Sequence, residues 1–288
     1  MRMTILEGEK ELIQKLLPLY GEREAAAISD RIMEHLLQLQ KIDRILNKSI
    51  QLSRDQLARF EKLRKELSAH KPLQYVIHEA WFLGMKLYVD ENVLIPRPET
   101  EELVEWVLEE PGIRMPNIRI LDIGSGSGCI SIALKKFLPE THLISCDISP
   151  GALIVAKRNA QMQQVSIEFT ELDFLDQKAW DKLPLVDIIV SNPPYISLSE
   201  FDKLDKNVSR YEPHQALFVP DKDPLIFYEA IAQFAKSNLD ISGKIFAEIN
   251  QTRSSELQEL FRRFGFANVE IRKDLHGNER FIRATRLR

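Results

Sequence analysis

Ile118-Arg119-Ile120-Leu121-Asp122-Ile123-Gly124-Ser125-Gly126-Ser127-Gly128-Cys129 passes from a short apolar run straight into alternating glycines. A helical pattern over Cys129–Phe137 follows it. Strand, tight turn and helix are the expectation. Glycine lets the backbone turn sharply and come close to a ligand. The helix N-terminus beyond favours anionic or polar groups. The spacing is G-x-G-x-G. The dinucleotide pattern G-x-G-x-x-G fails, because Cys129 stands where its last glycine belongs. A phosphate loop of the Walker type fails as well, since no Lys-Ser/Thr follows. Asp122, two residues before Gly124, belongs to neither pattern.

Downstream of this run, short apolar stretches alternate with helical ones. Ile118–Ile123, Leu143–Asp147, Ile167–Thr170, Val186–Ser191 and Lys244–Ile249 read as strands. Cys129–Phe137, Pro150–Gln163 and Pro224–Ser237 read as helices between them. Such alternation predicts a parallel sheet covered by helices on both faces. Two further strands, Asn268–Arg272 and Arg280–Ala284, share a short turn at Gly277-Asn278 and must run antiparallel to each other. Asp147 ends the second strand, where its carboxylate can accept two hydrogen bonds from ribose hydroxyls.

Upstream, the pattern changes twice. Ile28, Ile32, Leu36 and Leu39 recur at helical spacing, as do Leu57, Phe60, Leu63 and Leu67, and Ser53 with Gln56 fits a capping box. Residues 1–70 are therefore expected to form a small helical bundle. Residues 71–96 hold the strand formers Tyr75, Val76, Trp81, Phe82, Leu87, Tyr88 and Val89 around Gly84, which predicts a β-hairpin linker. Pro96 and Pro98 end it, a helix is expected over Glu99–Glu110, and residues 97–288 form the α/β domain.

Composition narrows the class. The 288 residues carry 43 Asp and Glu against 39 Lys and Arg, a net charge of −4. At 44% hydrophobic and 28% charged, the chain is of globular type. No apolar run approaches the ~18 residues of a transmembrane helix. The N-terminus carries Glu7 and Glu9 and lacks the apolar core of a signal peptide. The only cysteines, Cys129 and Cys146, make no disulfide framework and no metal-ligand cluster, so no metal is expected and a reducing cytoplasm is the default. Charge is uneven: +1 over residues 1–96, −9 over 97–250 and +4 over 251–288.

The fourth strand delivers Asn192-Pro193-Pro194-Tyr195 to the same rim as the glycine loop. Two prolines fix φ and remove two N–H donors. The turn's carbonyls are left to accept hydrogen bonds, and Asn192 adds a side-chain carbonyl. Converging acceptors suit an NH₂ group. A planar amide or aromatic amine nitrogen is a poor nucleophile, because its lone pair is delocalised. Holding its N–H bonds would bias that lone pair towards an incoming methyl group. Tyr195 offers an aromatic wall.

The Asp122-to-Gly128 pattern, with Asp147 ending the next strand, resembles the S-adenosyl-L-methionine site of Rossmann-like class I methyltransferases, which have a mixed seven-stranded sheet. The resemblance implies that Gly124, Ser125, Gly126, Ser127 and Gly128 face the methionine part and Asp147 the ribose. Phe174 lies where it can stack on or edge the adenine, and suits the core equally well. Asn192 completes the cofactor side and is the expected catalytic residue. Asn192, Pro193, Pro194 and Tyr195 are the expected substrate site. The tetrapeptide is similar to that of enzymes acting on conjugated nitrogen, both adenine-N6 methyltransferases of nucleic acid and glutamine methyltransferases of proteins.

Other segments choose between these. Pro72-Leu73-Gln74-Tyr75, Ile95-Pro96-Arg97-Pro98-Glu99-Thr100-Glu101, Tyr211-Glu212-Pro213, Ala216-Leu217 and Asp274 through Arg280 resemble, in this order, peptide chain release factor N5-glutamine methyltransferases (the PrmC/HemK family). The resemblance implies methyl transfer to the glutamine of a Gly-Gly-Gln motif in class 1 release factors, with S-adenosyl-L-homocysteine as product. It implies that the helical N-terminal domain helps hold that protein substrate, and it puts Arg97–Thr100 beside the cofactor. The acidic catalytic stretch speaks against a nucleic-acid partner, which would need a basic groove; no membrane partner and a monomer are expected. The adenine-N6 activity is the alternative. The chain departs from the family at His78 and Asn250, where glycine is usual, and over Phe218–Pro224, where a glycine-rich run is usual.

Overall fold

The computed structural model describes residues 2–286. By contacts the chain divides into two units, residues 1–78 with 205–211, and residues 79–204 with 212–288.

The first unit is helical: α1 (Ile5–Leu37), α2 (Lys41–Leu46), α3 (Arg54–Ser68) and α4 (Leu73–Ile77), joined by α8 (Lys206–Tyr211) from far along the chain. α1 opens on a capping box in which Thr4 and Glu7 bond reciprocally, and it breaks at Gly21, whose φ of 75° is not helical. α3 opens on the expected box: Gln56 N donates to Ser53 Oγ at 3.2 Å and Ser53 N to Gln56 Oε1 at 2.8 Å. Leu12, Leu16, Ile32, Phe60 and Leu67 are sealed from solvent in the core. Arg44 is buried beside them, with its charge met by Glu9 and Asp30. The Tyr211 hydroxyl donates to the Ala69 carbonyl at 2.6 Å, tying α8 to the end of α3.

The expected extended conformation of Tyr75 and Val76 is not found. Both lie in α4, where Tyr75, Val76 and Ile77 are buried. Tertiary burial overrides their β preference, which measures packing more than backbone. α4 ends at His78 in the left-handed conformation, φ 54°, the geometry for which a helix end usually uses glycine. The family's usual glycine there thus has a conformational reason, and His78 meets the same geometry at some strain.

The second unit opens with the hairpin β1 (Ala80–Phe82) and β2 (Met85–Leu87), which turns at Leu83-Gly84, and α5 (Pro98–Leu108) follows. The main sheet has β3 (Arg119–Ile123), β4 (His142–Asp147), β5 (Glu168–Glu171), β6 (Val186–Ser191), β9 (Leu239–Glu248), β10 (Phe266–Lys273) and β11 (Glu279–Arg286). A separate parallel pair, β7 (Ile196–Ser197) and β8 (Phe218–Val219), stands apart. The remaining helices are α6 (Cys129–Phe137), α7 (Pro150–Met162), α9 (His214–Leu217), α10 (Ile226–Asn238) and α11 (Ser254–Arg263).

The order across the seven-stranded sheet is β10-β11-β9-β6-β3-β4-β5. β11 is antiparallel to both its neighbours, and the other pairs are parallel. The seven expected strands are all present, with β9 starting five residues earlier than its sequence pattern suggests. Alternate residues feed two cores. Leu121, Ile123, Ile189 and Ile245 pack with α10 and α11. Ile120, Ile188, Val190 and Phe246 pack with α5 and α6. Burial on both faces explains why these strands read as continuous apolar runs.

Candidate active site

Strand order reverses between β3 and β6: β4 and β5 build outward on one side, β9 on the other. A crevice at the carboxyl ends of the strands is the usual ligand site in such a sheet. Register then brings the chemistry into one line. Cys146, Ile123, Ser191 and Ala247 are paired across β4, β3, β6 and β9. The next residue on each strand is Asp147, Gly124, Asn192 and Glu248. Four separate segments thus deliver their polar groups to one row.

The glycine loop is built by backbone. Gly124 N and Ser125 N both donate to the Cys146 carbonyl, at 2.9 and 3.0 Å, turning the chain off β3. Gly124, Gly126 and Gly128 have φ of 85°, 51° and 80°, open to glycine and strained for other residues. A side chain at Gly124 or Gly126 would meet nothing within 4 Å, so the loop presents bare backbone to open space. Gly128 instead abuts Ala156 of α7. Behind the loop, Ser125 Oγ lies 2.6 Å from Ser145 Oγ, which donates to Asp122 Oδ2 at 2.8 Å. Asp122 is fully buried, and that burial pushes its carboxyl up to about 7.

Asp147 holds the loop from the side. Its Oδ2 accepts from Gly126 N at 2.9 Å and its Oδ1 from Ser149 N at 2.9 Å. Partial burial raises its pKa, opposed by these bonds. Each oxygen keeps a further lone pair for a ligand hydroxyl.

Opposite, Asn192 Nδ2 donates to Thr100 Oγ1 at 3.1 Å. Pro193 and Pro194 have no N–H, and among the described residues no hydrogen bond reaches their carbonyls. Arg97 pairs with Glu212 and so joins the Pro-rich run before α5 to Glu212-Pro213; Ile95 N also donates to Glu212, at 3.2 Å.

These elements enclose a cavity of about 380 Å³. Gly124 through Ser127, Asp147, Phe174, Asn192, Pro193 and Pro194 line it, with Pro96, Arg97 and Thr100. Phe174 lines the cavity and also packs into the core against Phe234 and Trp180, at centroid separations of 5.4 and 5.7 Å. Gly128 and Tyr195 do not line it. Gly128 is spent on packing. Tyr195 directs its hydroxyl to Glu248 Oε1 at 2.8 Å, away from the aromatic-wall position expected for it. Sequence reasoning left Glu248 aside. The signal was there, since a carboxylate closing an apolar strand has to find partners. Asn250 has φ −71° and caps the next turn through Thr252 N at 3.0 Å, so glycine is not required at that position.

Comparison with known proteins bears on this arrangement. Residues 101–207 match the family model "Methyltransferase small domain", and residues 11–77 match "PrmC N-terminal domain". A release factor glutamine methyltransferase of Flavobacterium psychrophilum is 41% identical over 98% of this chain and 99% of its own. The chain belongs to the release factor glutamine methyltransferase family. A second member, from Bacteroides thetaiotaomicron, is 37% identical over 95% of this chain and 97% of its own. For fold alone, a methyltransferase structure from Pyrococcus furiosus superposes with a TM-score of 0.53 at 14% identity, covering 81% of this chain and 99% of that one. As a member of this family the protein is a methyltransferase with a helical domain followed in sequence by a class I α/β domain. None of its described helices is long and apolar enough to cross a membrane.

Proposed function

We propose that this protein transfers a methyl group from S-adenosyl-L-methionine to the side-chain amide nitrogen of the glutamine in the Gly-Gly-Gln motif of class 1 peptide chain release factors. The observation that carries this reading is the single row of Asp147, Gly124 and Asn192 along one cavity, next to the two unpartnered proline carbonyls.

The cavity suits the cofactor on its own terms. The bare loop at Gly124 and Gly126 admits close approach of a polar chain. Asp147 keeps acceptor capacity for vicinal hydroxyls, and Leu172 and Phe174 offer an apolar wall for a flat base. When bound, S-adenosyl-L-methionine supplies a methyl group already activated on a sulfonium.

The residues then have a positioning task. Asn192 Oδ1 and the Pro193 carbonyl accept the two N–H bonds of the substrate amide. The nitrogen is held with its lone pair directed at the methyl donor. Orientation of this kind is worth roughly 7–11 kcal/mol. The cavity walls keep competing water from the donor.

The test is transfer of labelled methyl to a purified, unmodified class 1 release factor, beside the same factor with its Gly-Gly-Gln glutamine replaced by alanine. Label on the first and none on the second is expected. Label on neither factor, with label entering adenine-containing nucleic acid, overturns the proposal.

A further inference from the structure

An amide side chain has two nearly isosteric ends, one an acceptor and one a donor. Nothing in Asn192 itself decides which end meets the substrate. The flanking prolines cannot decide it either, having no N–H to offer.

The decision lies in a buried chain of hydrogen bonds behind it. Glu248, at the end of β9, is buried, and its two carboxylate oxygens accept from two hydroxyls: Tyr195 OH to Oε1 and Thr100 Oγ1 to Oε2, each at 2.8 Å. Burial raises the pKa of Glu248 above the ordinary carboxylate value, opposed by these two hydrogen bonds and by the Arg280 guanidinium. Thr100 is buried in the first turn of α5. A hydroxyl has one proton. Thr100 gives that proton to Glu248, so towards Asn192 it has lone pairs only. Asn192 must turn its NH₂ to Thr100, as the 3.1 Å contact shows, and Oδ1 takes the other branch.

We propose that Thr100 and Glu248 are positioning residues that fix the orientation of the Asn192 amide, so that the site presents an acceptor and selects the NH₂ edge of a substrate amide over its carbonyl oxygen. This rests on the methyl-transfer reading above. A glutamine amide offers both edges. With Asn192 turned round, its NH₂ would face the substrate NH₂, donor against donor, and would hold the carbonyl edge instead. Burying a carboxylate is costly unless it is fully hydrogen-bonded. Packing alone does not call for Glu248, whereas a one-way hydrogen-bond chain does.

The experiment compares wild type with Thr100→Val and Thr100→Ser on an unmodified class 1 release factor. It measures kcat, KM, cofactor Kd by calorimetry, and Tm. Valine keeps the shape and removes the relay; serine keeps the relay. Thr100→Val is expected to lower kcat/KM roughly 10- to 100-fold, the range for leaving a buried polar group mismatched. Cofactor Kd should change by less than kcat/KM does, since Thr100 lines the cavity without holding the glycine loop or Asp147. Thr100→Ser should recover most of the loss. Thr100→Val as active as wild type overturns the proposal. So does equal loss in both variants with Tm and cofactor binding lowered together, which marks a purely structural residue. A wild-type protein inactive on the release factor refutes the functional reading and this proposal with it; an active wild type beside an equally active valine variant refutes the proposal alone.

Discussion

Replacing Gly128 by alanine should damage the fold, whereas the same change at Gly124 should damage binding. Gly128 sits at φ +80°, and a Cβ there would lie 3.0 Å from Ile132 Cδ1, 3.2 Å from Ala156 Cβ and 3.3 Å from Ala156 Cα. The Ile132 methyl can swing aside. The Ala156 backbone, fixed in α7, cannot. Left-handed backbone costs an alanine ~1–2 kcal/mol. Overpacking between α6 and α7 adds ~1–3 kcal/mol. A loss of about 2–5 kcal/mol lowers Tm by roughly 5–15 °C for a unit of this size. Gly124 has φ +85° but nothing within 4 Å of its Cβ. Its alanine variant therefore suffers the backbone part alone, ~1–2 kcal/mol. Its methyl group, however, enters the space over the loop, so cofactor affinity should fall out of proportion to stability. Differential scanning calorimetry of both variants, with and without S-adenosyl-L-methionine, separates the two effects. Gly128→Ala as stable as Gly124→Ala would refute the packing argument.

Asp147→Ala should weaken cofactor binding by about 1–3 kcal/mol, because ribose hydroxyls and the Gly126 N–H both lose their acceptor; an unchanged calorimetric Kd would count against the assignment. Asn192→Ala should abolish transfer and leave cofactor binding largely intact, and retained turnover in a single-turnover assay would remove Asn192 from the mechanism. Asp122 holds its proton up to about 7 when folded. The unfolded chain releases that proton near 4, so the stability it contributes is complete below that range and is lost as pH rises from ~4 to ~7. Asp122→Asn should flatten that part of the stability–pH curve in denaturant titrations, and an unaltered slope would show that Asp122 is ionised in the fold. Arg44→Ala should unfold the helical unit more easily by ~1–3 kcal/mol, since the hydrogen bonds of its buried guanidinium to Glu9, Asp30 and the Leu39 carbonyl are lost while the two carboxylates keep partial access to water; proteolysis within residues 1–78 reports it.

Much of the α/β unit was legible because its strands are buried on both faces and its helices carry local signals. Val186–Ser191 and Cys129–Phe137 fall on the boundaries read from pattern alone. The glycine loop and the Asn192 turn were legible because each needs unusual backbone, which only glycine and proline supply. What stayed hidden depends on partners distant in sequence. Tyr75 and Val76 prefer strands until a neighbouring core takes them into α4. Tyr195 reads as an aromatic wall until Glu248, 53 residues on, captures its hydroxyl. The link from Thr100 to Glu248 spans 148 residues and leaves no local trace. The row of Asp147, Gly124, Asn192 and Glu248 exists only in the register of four strands.

The membership of α8 in the helical unit has a consequence for how the chain is made. Synthesis proceeds from the N-terminus, so residues 1–78 leave the ribosome well before 205–211. At ~5–20 residues per second the delay is on the order of ten seconds. During it the end of α3 waits without the Tyr211 hydroxyl, although the core of the helical unit, drawn wholly from residues 3–77, is already available. More than half of the α/β unit is therefore synthesised before α8 can add its bond to the helical unit that precedes it.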